Sequence, residues 1–127
     1  MSTLKVATIQ DTSGNNSSTP NEVAQGRAKV WIFFKGTGTV AIRDDFNVSS
    51  LTDNGTGDYT LTFTNAMANT NYCTLGTSNY ERVLNSGRLF TSPRTPQTGS
   101  IRVQLLGDSG SSVLLDSEDV SVAIFGD

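Results

Sequence analysis

The chain has 127 residues, with 9 Lys plus Arg against 12 Asp plus Glu, a single cysteine and no histidine. That length suits one domain around one core and is short for two. A formal charge of −3, with no run of either sign, gives no electrostatic footprint for a phosphate backbone or an anionic bilayer, so neither nucleic acid nor membrane is an expected partner. The lack of histidine removes every Ser-His-Asp, Cys-His and His-ligated metal arrangement.

Residues 4–10 (LKVATIQ) read as a short strand, and residues 11–19 (DTSGNNSST) as a polar tether with nothing to bury. Thr19-Pro20-Asn21-Glu22 then spells a helix start: Thr19 as N-cap, Pro20 at the first helical position, Glu22 reaching back in a capping box, and Gly26 as the stop. So short a helix persists only if Val23 and Ala24 pack on something, and a second copy of the chain is one such partner. Residues 1–26 are therefore expected to be an attachment and oligomerisation arm, and residues 27–127 the folded body. No secretory leader pattern and no apolar run of about 20 residues is present, so assembly in the cytosol is expected.

Residues 28–35 (AKVWIFFK) carry the strongest strand signal, with Ala28, Val30, Ile32 and Phe34 on one face and the large aromatics Trp31 and Phe33 on the other. Both faces call for cover. Either a loop of the same chain lies over Trp31 and Phe33, or these two fill a contact between subunits. Residues 36–65 alternate polar and apolar between two glycine-rich corners and read as a three-stranded meander, with Val40, Ile42, Phe46, Val48, Tyr59, Leu61 and Phe63 inward. The corner at residues 53–58 (DNGTGD) has glycines where positive φ is cheap and Asn/Asp where a side chain bonds the turning backbone. It lacks the EF-hand register and reads as a plain hairpin turn, so no metal and no cofactor is expected. Gly36-Thr37-Gly38 lacks the Lys-Ser/Thr pair and the following helix of a phosphate cradle.

Residues 72–77 make a further strand, in which Cys73 is expected as a buried structural thiol. Residues 78–87 form the longest loop. Residues 88–91, 100–106, 113–115 and 120–125 read as strands, with Ile101, Val103 and Leu105 and then Val120, Val122 and Ile124 alternating inward. The fold class that follows is all-β: an antiparallel two-sheet β-sandwich, jelly-roll-like, behind a short strand-tether-helix arm.

Asp44 with Asp45, Asp53 with Asp58, and Asp116 with Glu118 and Asp119 are the carboxylates from which a glycosidase pair would have to come. They read instead as solvated turn carboxylates, and no catalytic residue is expected. Sugar recognition needs an aromatic platform beside planar hydrogen-bonding groups, and the loop with Asn79, Tyr80 and Arg82, with Asn85 and Arg88 nearby, is the one that offers both.

The runs KGTGTVAIR (residues 35–43), FNVSS (46–50) and TDNGTGDY (52–59) resemble a small β domain that recurs in bacteriophage tail-fibre and related virion proteins, notably of marine and cyanobacterial phages. VATIQDTSGN (residues 6–15) resembles the connector sequences that precede such domains. Residues 77–127 lie outside the resemblance, and Phe33 and Lys35 stand where the family commonly carries Asn. What the resemblance implies is a virion structural role in a trimeric tail fibre or appendage, with no catalytic or binding residue to carry over; a capsid decoration or head fibre of the same build, with a stabilising role, is the alternative. The arm would meet other virion proteins, and the body would reach host-surface glycans. A free-standing carbohydrate-binding module is the further alternative. The candidate oligomer interface is Val23, Ala24, Trp31 and Phe33.

Overall fold

The computed structural model describes residues 1–79, 89–91, 96–107 and 113–127, the second of these segments by its backbone. Two four-stranded antiparallel sheets pack face to face, as the alternation predicts. One has the order β2 (Ala41–Phe46), β1 (Val30–Lys35), β8 (Asp119–Phe125), β5 (Cys73–Asn79). The other has the order β3 (Val48–Gly55), β4 (Asp58–Phe63), β7 (Ser100–Leu106), β6 (Leu89–Thr91). Ahead of them stands α1 (Pro20–Gly26), capped by Thr19 with both bonds of the capping box in place.

Central strands supply the core. Val30, Ile32 and Phe34 of β1 and Val120, Val122 and Ile124 of β8 meet Tyr59, Leu61 and Phe63 of β4 and Ile101, Val103 and Leu105 of β7 across the interior. Each set has period two, so one parity of every central strand is removed from water, worth roughly 1.5–3 kcal/mol for each large side chain. The Tyr59 hydroxyl has one proton to give and lies between two acceptors, the Gly36 carbonyl at 2.7 Å and the Asp116 carboxylate at 2.9 Å. Its ring stands edge-on to Phe34 at 5.1 Å.

The expected meander divides between the two sheets. β2 pairs with β1, whereas β3 pairs with β4, and the chain crosses over at Asn47, whose φ is +62°. Asn tolerates that left-handed conformation, and its side chain secures the corner by donating to the carbonyls of Lys29 and Asn65 and accepting the Asn65 amide. The crossing leaves β2 at a sheet edge. Ile42 and Phe46, expected inward, are therefore exposed, while Val48 and Leu51 pack against the core. The corner at Thr56-Gly57 is the expected hairpin turn, with Gly55 and Gly57 at positive φ and the Gly55 amide bonded to Asp53.

Two further expectations are corrected, those for residues 4–10 and 113–115. Residues 4–10 join no sheet and make only the bridge Ile9 to Ser18, because the segment has no strand neighbour to complete a ladder. The polar tether is a built turn in which the Asp11 carboxylate accepts the amides of Ser13 and Asn15. Residues 113–115 contribute only a bridge, Leu106 to Leu114.

Candidate functional site

The two outer faces of the sandwich differ sharply in chemistry. On the β3-β4-β7 face the register aligns Ser50, Thr62 and Ser100 in one row, Thr52, Thr60 and Arg102 in the next, and Asp58 with Gln104 in a third. All are polar. Asp58, expected as a solvated turn carboxylate, is buried there because Arg102, Gln104 and Asn54 all converge on it, at 2.5–3.2 Å. Hydrogen bonding from Arg102 holds its carboxyl below the usual carboxylate range, against the opposing effect of burial.

On the other sheet the register aligns Phe46, Trp31, Ala123 and Leu75 across all four strands. This row is apolar from edge to edge, and Trp31 is 36% exposed, Phe46 53% and Leu75 56%. The neighbouring row brings Asp44, Phe33, Ser121 and Thr77 together. A shallow groove of about 480 Å³ runs along the face between Trp31, Phe33, Leu75 and Ala123.

Local sequence explains how the face is built. β1 needs Val30, Ile32 and Phe34 inside, which by alternation sends Trp31 and Phe33 out. A β-bulge where Phe33 faces Asp44 and Phe34 faces Ile42 leaves Arg43 as the extra residue of β2. Its guanidinium lies 5.0 Å from the centre of the Phe33 ring, bonds Glu118 at 3.1 Å and pairs with Asp119. The face thus has an apolar middle and an ionic rim, the anatomy of an association surface.

Of the residues expected to bind a partner, Trp31 and Phe33 lie on this face, and no described segment covers Trp31. Val23 and Ala24 sit on α1, which has no buried residue. They line a second apolar depression with Leu4, Val6 and Ile9 of the arm. Asn79 is exposed at the end of β5. Tyr80, Arg82, Asn85 and Arg88, the rest of the expected sugar-binding loop, lie outside the described residues.

Phe46, Leu75 and Ala123 escaped sequence reasoning, since only register places them beside Trp31. Cys73 is likewise a correction: it is exposed and points outward with Leu75, because the inward parity of β5 falls on Thr74, Gly76 and Ser78. A cavity of about 490 Å³ beneath Phe46 is lined by Arg27, Lys29, Asp45 and Asp127 together, so it carries both signs of charge. Among the described residues no cluster of three His, Cys, Asp or Glu is placed to hold a metal, and no helix is long and apolar enough to cross a membrane. Comparison with known proteins finds no matching family model, no similar curated protein and no similar solved structure.

Proposed function

We propose that this chain is a non-enzymatic structural component of a bacteriophage particle, a β-sandwich that assembles as a homotrimer in a tail fibre or appendage. One observation carries the self-assembly part: the outer face of β2-β1-β8-β5 presents Phe46, Trp31, Ala123 and Leu75 in an unbroken row, while the opposite outer face is polar. Contiguous exposed apolar surface on a soluble protein marks a contact with another molecule. The virion setting rests on the resemblance of residues 6–15 and 35–59 to phage fibre domains.

In this reading the arm meets other proteins of the particle, further copies of this chain included, and Asn79, Tyr80 and Arg82 are the contacts for host-surface glycans, where three weak sites on one particle add up through effective concentration. Light scattering tests the assembly. The expected mass is about three times the 13.5 kDa of the chain, and Trp31→Glu should reduce it to a single chain that still unfolds cooperatively, at a melting temperature that no longer rises with protein concentration. A single-chain mass for the wild-type protein at micromolar concentration would sink the proposal. Electron microscopy of particles carrying a labelled copy should show label on the tail, and label on the head would make the protein a capsid decoration.

A further inference from the structure

Among the described residues two groups of exposed apolar side chains each share a groove or depression, and neither group covers the other. The first is the row Phe46, Trp31, Ala123 and Leu75. The second is on the arm, where Leu4 is 85% exposed, Ile9 52%, Val23 45% and Val6 39% around a depression of about 530 Å³. With the chain's own arm in place the sheet row is still open, so the arm is not the row's lid within one molecule.

Resting on the reading of the chain as self-assembling, we infer that the arm of one copy docks on the sheet face of the next. Residues Leu4, Val6, Ile9 and Val23 would cover Trp31, Leu75 and Phe46 of the neighbour.

Three observations favour this occupant over a face-to-face pairing of two sheets. The arm has no core of its own: α1 has seven residues, none buried, and the preceding segment makes a single bridge. Seven residues do not hold a helix in water unaided, so its apolar side needs a surface from elsewhere. Size is the second point. A four-residue row offers on the order of a few hundred Å², short of the roughly 800 Å² per partner of a stable interface. Arm and face together supply two such surfaces per copy.

Charge is the third. Asp44 adjoins Phe33 on the face and, among the described residues, accepts only the neighbouring Asp45 amide, at 2.9 Å. Lys5 lies between Leu4 and Val6 and has no acidic partner among the described residues. The arm brings Lys5 to Asp44 as a cation still to be paired, whereas Arg43 on a second face is already held by Glu118 and Asp119. An arm-on-face contact joins unlike surfaces, so it repeats head to tail and closes into a ring when the rotation fits.

Complementation between full-length variants tests the idea. Leu4→Glu/Val6→Glu spoils the arm and leaves the face, whereas Leu75→Glu spoils the face and leaves the arm. Each alone should be a single chain by light scattering, and an equimolar mixture at high concentration should form a two-chain species, weaker than the wild-type assembly because it engages one contact per copy instead of two. Trp31 is the only tryptophan of the chain, so its emission should shift to shorter wavelength on mixing. Equal melting temperatures establish that the variants fold, and Val6→Asn and Phe46→Ser are milder substitutes if they do not.

Full association of Leu4→Glu/Val6→Glu alone, with Trp31 covered, would overturn the arm contact and leave self-assembly standing. Failure of two single-chain variants to pair on mixing would overturn it as well. A wild-type protein that stays a single chain with solvent-like Trp31 emission would overturn both this inference and the reading beneath it.

Discussion

At the scale of single residues, one buried carboxylate is fully engaged by the fold. Asp58 is only 4% exposed and collects bonds from Arg102, Gln104 and Asn54. Its carboxyl is held below the ordinary range, mainly by the Arg102 hydrogen bonds. A folded pKa lower than the unfolded one, about 3.9, contributes stability that is complete above the unfolded value. That contribution is lost as pH falls through the folded one. Stability should therefore be flat from about pH 5 upward with respect to this group, and fall below about pH 4. Asp58→Asn should cost about 1–2 kcal/mol near neutral pH, the lower part of the range for charged hydrogen bonds because one partner faces solvent. Melts at pH 7 and pH 3 check both claims, and the variant should lose less stability on acidification than the wild type. An identical acid response in the two proteins would remove Asp58 as its source.

At the scale of the strand, β1 carries two jobs on two parities. Phe34 is fully buried against Tyr59, and Phe34→Ala should cost about 3–5 kcal/mol through lost transfer energy and a cavity. Leu75, on the outer face of the same sheet, should behave oppositely: Leu75→Glu should change the stability of the isolated chain by less than about 0.5 kcal/mol. Denaturant titrations at low protein concentration compare them. Similar losses in both variants would mean that the outer face also packs within one molecule. Sequence resolved this much of the site. The alternation of VWIFFK put Trp31 and Phe33 outside and raised the question of what covers them. It placed Phe46 inward and was silent on Leu75, because each stands in a segment whose inward parity is weak: β2 is largely exposed, and β5 turns Thr74, Gly76 and Ser78 toward the core.

At the scale of the whole molecule, the electrostatics are quiet near neutrality. With no histidine, nothing with an ordinary pKa near 6.5 titrates in the body. In the acidic corner at residues 53–58 one Asp53 oxygen accepts the Gly55 amide and both Asp58 oxygens accept from Arg102. Melting temperature should thus hold steady between pH 6 and pH 8, and millimolar calcium should not raise it. Calorimetry with calcium and with a chelator measures this, and a rise of several degrees with calcium would show that the turn opens to take a cation.

Local composition was enough to determine most strands of the body, the buried parity of β1, β4, β7 and β8, the Thr19 cap and the hairpin corner. Each of these follows from a steric or solvation rule acting over a few residues. What tertiary structure alone decided is which strands are neighbours. The positive φ at Asn47 sends β2 and β3 into different sheets, and a period-two pattern has no term for that choice. The same holds for the apolar row. Phe46, Trp31, Leu75 and Ala123 are far apart along the chain and meet only through the registers of β2, β1, β8 and β5, which are set by pairing energies between distant segments.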